Sequence, residues 1–153
     1  MRGLMMHAPL TITSIMRHAE RVNGAAEVVS VTAENPRHRC TLADVFRRAR
    51  QLANALVKAG VRPGDRIATL AWNDYRHLEL YYAVSCIGAV LHTLNPRLFP
   101  EQIVYIANHA KDRFLFADLT LVPLVEKLRP ALKTVERVIV LGNEGYDAFI
   151  AGE

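Results

Sequence analysis

From Leu42 to Ala59, apolar residues recur at steps of three and four: Leu42, Val45, Phe46, Ala49, Leu52, Ala53, Leu56 and Val57. That spacing predicts one amphipathic helix with a single buried stripe. Thr41 stands where a side-chain oxygen can take a free N–H, and Asp44 follows three residues later, as in a capping box. Asp44 and Arg48 are also an i,i+4 pair. Gly60 is suited to closing the helix and Pro63 forbids its continuation. Arg47, Arg48, Arg50 and Lys58 fall off the apolar stripe and are expected on a solvated face.

After this helix the pattern repeats. Short apolar, β-branched runs begin at Arg66, Ala89, Arg113 and Arg137, spaced 23, 24 and 24 residues apart. Between them lie helix-like segments: Asp74 to about Cys86, Pro100 to about Ala110, and a shorter one capped by Thr120 and running to Leu128, with Pro123 in its first turn. Strands alternating with helices predict a mainly parallel sheet with right-handed crossovers. Strands that are apolar throughout, not alternating, predict cover on both faces. The fold class is therefore α/β: a three-layer, mainly parallel sheet flanked by helices.

Ahead of the repeat, Glu27–Thr32 and His38–Thr41 flank the turn Glu34-Asn-Pro-Arg37 and predict a short antiparallel hairpin. Residues 1–25 are read as an arm with a short helix, capped at Thr13 or Ser14, and residues 26–153 as one α/β unit. The Met-rich start (Met1, Met5, Met6, Met16) reads as a dimer arm or as simple disorder, its apolar character favouring contact with the rest of a larger body or a second copy. Glu153 follows closely on a strand, so the sheet is expected to have an unfinished edge, which offers a route to a homodimer.

Composition narrows the classes. Hydrophobic residues make up 51% and charged residues 22%, which excludes disorder over most of the length. The formal charge of +4 is mild and tolerates anionic ligands without demanding nucleic acid. No aromatics interleave with the Arg47–Arg50 cluster to stack bases, so a nucleic-acid partner is not expected. The longest apolar run, Tyr81–Leu91, is 11 residues long, against the ~20 of a membrane span. Cys40 and Cys86 have neither CxxC nor metal spacing, as expected of two reduced thiols in a cytoplasmic protein.

Chemical motifs are sparse. There is no GxGxxG, GxxxxGK[ST] or GxSxG. No catalytic residue or metal ligand set emerges, and His77/Glu79 and His109/Asp112 are taken as surface polar neighbours. The unusual stretch is His92-Thr-Leu-Asn-Pro-Arg97-Leu, just past a predicted strand, where ligands of open α/β sheets bind. From spacing alone, Asn95-Pro96 is a turn whose Arg97 bonds carbonyls or a carboxylate. The other reading is that the planar guanidinium pairs with phosphate. Trp72 and Asn73, at the end of the first repeated strand, either pack or border an entrance.

The runs Arg62-Pro-Gly-Asp-Arg-Ile-Ala-Thr-Leu-Ala-Trp-Asn73 and Gly88-Ala-Val-Leu-His-Thr-Leu-Asn-Pro-Arg-Leu98 resemble the opening part of adenylate-forming acyl-CoA ligases. Thr41–Asp65, Phe99–His109 and Phe114–Asp118 extend the resemblance, which covers about Leu10 to Leu141. The nearest subgroup is the fatty-acid CoA ligases, including those for medium-chain and methylthio-substituted acids. The resemblance implies a partial N-terminal subdomain of that fold. It implies a whole enzyme that uses ATP and Mg²⁺ to convert a fatty-acid carboxylate to an acyl-adenylate, and coenzyme A to make the thioester. The family's phosphate loop, ribose contact and mobile lysine lie downstream of the matched segment, so these 153 residues alone are expected to be inactive and to hold none of those cofactors fully, their partner being the remainder of the ligase chain. The resemblance also places Arg97 near the phosphates of coenzyme A. The alternative is a stand-alone module that binds coenzyme A or acyl-CoA, or regulates, without catalysis.

Overall fold

The computed structural model describes residues 7–142 and 144–151. Helix α1 (Ile12–Asn23) leads into an antiparallel hairpin of β1 (Glu27–Ser30) and β2 (His38–Thr41), then α2 (Leu42–Lys58). The repeat follows as β3 (Arg66–Leu70), α3 (Tyr75–Cys86), β4 (Val90–Thr93), α4 (Pro100–Ala110), β5 (Phe114–Asp118), α5 (Val122–Leu128), β6 (Arg137–Leu141) and α6 (Glu144–Ile150). The expected repeat of strand and helix is present.

The four strands β3 to β6 form one parallel sheet in the order β4-β3-β5-β6. Each face of the sheet carries its own core. On one face Ile67, Phe114, Phe116, Ile139 and Leu141 pack under α2, α3 and α6, with Met16 of α1 at the margin. On the other, Ala68, Leu70, Leu115 and Ala117 meet Ile103 and Ala107 of α4 and Val125 and Leu128 of α5. Strand β5 is buried along its whole length, as a central strand covered on both faces must be.

Local chemistry explains the element ends. The Thr41/Asp44 capping box forms: the Asp44 N–H donates to Thr41 Oγ1 and the Thr41 N–H to Asp44 Oδ2, both at 3.1 Å. Gly60 (φ 87°) supplies the left-handed residue after α2. Two caps fall elsewhere than expected. Helix α1 starts from Thr11, whose Oγ1 accepts the Ser14 N–H at 3.2 Å. Asp118, not Thr120, caps the 3-10 turn Leu119–Leu121 that precedes α5, because its carboxylate is the stronger acceptor two residues upstream.

A second glycine is fixed by close approach. Gly142 (φ 90°) directly follows β6, and a Cβ there would sit 1.9 Å from Glu34 Oε1. Glu34, in the hairpin turn, forks onto Arg76 of α3, with both contacts at 3.2 Å. Gly142→Ala therefore has to adopt a left-handed backbone and also expel Glu34 from Arg76. Urea denaturation is expected to show a loss of about 2 kcal/mol, split between the two effects. In a Glu34→Ala background the penalty falls by about half, since the displaced pair is already gone.

Candidate functional site

The strand order determines where a site can form. From β3 the chain moves to one side to build β4. It then crosses back over β3 through α4 to build β5, and continues outward to β6. Connections on either side of the β3/β5 boundary diverge, leaving a crevice at the carboxyl ends of these strands. The loops after β3, β4 and β5 meet there.

The loop after β4 holds Asn95-Pro96-Arg97-Leu98 as a tight turn. Asn95 Oδ1 accepts the Arg97 N–H at 2.9 Å and the Asn95 carbonyl accepts the Leu98 N–H at 3.2 Å. Pro96 presets the turn backbone, and Pro100 then opens α4. The Arg97 side chain is exposed, and its guanidinium carbon lies 5.7 Å from the centroid of the Trp72 ring. No carboxylate or carbonyl of a described residue bonds its side chain. The turn is as the sequence predicted, but the expected carbonyl or carboxylate partner for Arg97 is replaced by an aromatic face.

Among the described residues six other arginines pair with carboxylates: Arg39, Arg47, Arg48, Arg50, Arg76 and Arg113. What distinguishes Arg97 is its seat on an aromatic face at the crevice. Of the cluster expected to face solvent, Arg47 meets Asp44 at 3.3 Å and Arg50 pairs with Glu20. Arg48 turns away from Asp44, the partner expected from helix spacing, to meet Glu79 at 2.7 Å and Asp147 at 2.8 Å.

Beneath the rim, Asp74 caps α3. One oxygen accepts the His77 N–H at 3.0 Å; the other accepts Arg76 Nε and Nη2 at 3.0 and 2.9 Å. His77 is buried, with Nε2 3.0 Å from Thr69 Oγ1 and Nδ1 3.2 Å from the Trp72 carbonyl. A carbonyl only accepts, so Nδ1 carries the proton and Nε2 receives the Thr69 hydroxyl. Burial pushes the His77 imidazole below its ordinary value and keeps it neutral. Trp72 meets Thr120 across the crevice, with its Nε1–H donating to Thr120 Oγ1 at 3.0 Å. Asn73 lines a depression of about 300 Å³ between the hairpin and α3, together with Val28, Ser30 and Tyr81.

Two buried acids depart from the expected surface pairs. Glu79 has no exposed surface and is bonded by Arg48 and by the Tyr146 hydroxyl at 2.6 Å. Asp112 is also fully buried and takes His92 Nδ1, not His109, at 2.9 Å from both of its oxygens. Both carboxylates are committed to neighbouring elements rather than to a substrate. Among the described residues no three His, Cys, Asp or Glu side chains gather as a metal cradle, and no helix is long and apolar enough to cross a membrane. Both cysteines are free thiols.

Comparison with known proteins places this geometry. The sequence profile of the AMP-binding enzyme family matches residues 16–150. The 3-methylmercaptopropionyl-CoA ligase of Ruegeria pomeroyi is 50% identical over 99% of this chain and 30% of its own length. The medium-chain-fatty-acid–CoA ligase of Ectopseudomonas oleovorans is 46% identical over 97% of this chain and 27% of its own. A crystal structure of a long-chain-fatty-acid-CoA ligase from Archaeoglobus fulgidus superposes with a TM-score of 0.82 at 19% identity, over 96% of this chain and 31% of that one, a likeness of fold. The chain thus spans under a third of the length of these relatives.

Proposed function

The chain belongs to the AMP-binding enzyme family, and from that membership we propose that it is the N-terminal part of a fatty-acid CoA ligase, with residues 26–153 as the first α/β subdomain and residues 1–25 leading into it. The whole enzyme joins a fatty-acid carboxylate to the α-phosphate of ATP, releasing pyrophosphate. The thiol of coenzyme A then attacks the acyl carbon, forming the thioester and expelling AMP. The reaction belongs in the cytoplasm, where ATP and coenzyme A are available. Magnesium supplies charge neutralisation at the phosphates, but the described residues do not gather ligands for it, and no step is assigned to it on them.

Family membership supplies the reaction class. The observation that carries this chain's share is Arg97, an arginine with no acidic partner among the described residues, held on an aromatic face at the crevice of the sheet. Its role is to bind and orient coenzyme A by pairing with a nucleotide phosphate. The adenylation step does not involve it. Neither Glu79 nor Asp112 acts as an acid or base in this scheme, since each is closed off by its own partners.

The reading is tested on the open reading frame carrying the rest of the ligase. Arg97→Ala is expected to raise KM for coenzyme A about tenfold, the weight of one charge-assisted contact, and to leave acid-dependent ATP–pyrophosphate exchange unchanged. An unchanged KM removes Arg97 from the coenzyme A site. Exchange assayed over a ladder of carboxylic acids, from methylthio-propionate to palmitate, tests the fatty-acid assignment; no exchange with any of them overturns it. Micromolar coenzyme A binding by the 153 residues without a downstream ligase frame instead supports the stand-alone binding module.

A further inference from the structure

We propose that Trp72, Thr120 and Asp118 are positioning residues for Arg97: together they transmit the rigidity of the buried sheet to an exposed guanidinium. The inference rests on the reading of Arg97 as the coenzyme A contact and adds to it three residues that touch no phosphate themselves.

An exposed arginine on a loop samples many rotamers, and a ligand that must select one of them binds more weakly. Here the freedom is removed in steps. Asp118 ends β5 and is 5% exposed. One of its oxygens, Oδ1, accepts both the Thr120 N–H at 2.9 Å and the Thr120 hydroxyl at 2.6 Å. With its proton committed to Asp118, the hydroxyl is left with lone pairs to offer, and it accepts the Trp72 indole N–H. The Trp72 backbone is gripped separately, through its carbonyl, by His77. The indole plane is therefore fixed although the residue is 42% exposed. Its face carries the Arg97 guanidinium, whose own backbone is pinned by Asn95.

The three loops that supply these residues follow β5, β3 and β4. They are adjacent only because β3 lies between the other two strands. The polarity of the chain has one direction: carboxylate to hydroxyl, hydroxyl to indole, indole face to cation. Reversing any link requires a donor where the chemistry supplies an acceptor.

Trp72 is the sole tryptophan, so its indole N–H gives one resonance that reports the central link. The experiment has three parts: the resonances are read on the isotopically labelled 153-residue chain, and the coenzyme A dependence on the ligase carrying the downstream frame. Without ligand, Thr120→Val is expected to move the indole N–H resonance, speed its exchange with water and shift the Arg97 Nε–H resonance as the ring turns; Thr120→Ser, which keeps the hydroxyl, restores all three. In the ligase carrying the downstream frame, Thr120→Val is expected to raise KM for coenzyme A about two- to fivefold, the weight of one cation–π contact at an exposed site. Thr120→Ser restores the wild-type value. In an Arg97→Ala background, Thr120→Val is expected to have no further effect, because it acts only through Arg97.

An unmoved indole resonance, or an unmoved Arg97 resonance in Thr120→Val, overturns the positioning role. So does a Thr120→Val penalty that persists without Arg97. If the resonances respond as expected but the wild-type ligase and Arg97→Ala share one KM for coenzyme A, the positioning stands and the phosphate reading of Arg97 is what fails.

Discussion

Replacing Arg48 by alanine is expected to cost the fold about 3–5 kcal/mol at neutral pH, measured by urea denaturation. The Arg48 side chain is 23% exposed and lies between Tyr75 and Tyr146, with Nε on Glu79 and Nη2 on Asp147. Truncation leaves Glu79 wholly buried with only the Tyr146 hydroxyl to bond it. Burial already pushes the Glu79 carboxyl above its usual 4.5, and Arg48 is the main influence pulling it back. Without Arg48 the upward push is unopposed. A carboxyl whose folded pKa is raised destabilises the fold once the unfolded chain ionises, so the penalty of the variant is smallest near pH 4.5 and grows as pH rises. Matched denaturation series at pH 4.5 and 7.5 read this slope. A penalty independent of pH would mean that lost packing, not the stranded carboxylate, is responsible. Adding Glu79→Gln to an Arg48→Met chain is expected to return about half the loss, since a neutral amide can still accept the Tyr146 hydroxyl.

Phe116→Ala carries a penalty of similar size, about 3–5 kcal/mol. Phe116 is fully buried on β5, between Thr69 of β3 and Ile139 of β6. Its ring meets Tyr146 edge-on at 6.4 Å and Phe149 at 6.1 Å, so it joins the sheet to α6. Amide hydrogen exchange is expected to accelerate in α6 more than in α4, which packs on the opposite face. Equal acceleration in both helices would show that the two cores respond as one. Because Arg48 and Phe116 both hold Tyr146, their combined loss is expected to fall short of the sum of the single losses.

The sequence revealed elements and their rhythm, and much less of how they meet. Strand starts near every twenty-fourth residue, and continuous apolar strands, were enough to deduce a parallel, two-faced sheet. The order β4-β3-β5-β6 is not contained in that periodicity, since each crossover is right-handed whichever side it builds. Arg48 shows the same limit. Its neighbour Asp44 is visible at helix spacing, whereas Glu79 becomes its partner only when α2 lies on α3. Likewise His92 finds Asp112 because α4 returns the chain beneath β4. At the candidate site, Arg97 and Trp72 stood out individually, and their contact did not. By spacing Thr120 reads as a helix cap. The pattern Asp118-x-Thr120 directly after a strand was the available sign that its hydroxyl is tied back to a carboxylate and so turned into an acceptor.

Strand β6 is hydrogen-bonded only to β5; among the described residues nothing pairs with its far side. Arg137 at its start leans over Phe149, and the Val138-Ile-Val-Leu141 run beyond it has no lysine, proline or bulge to blunt it. A bare edge of this kind pairs with whatever strand reaches it first. The same ribbon of a second copy is one such strand, and its share of the edge rises with concentration by mass action. Crowding these residues together therefore favours fibrillar or swapped assemblies.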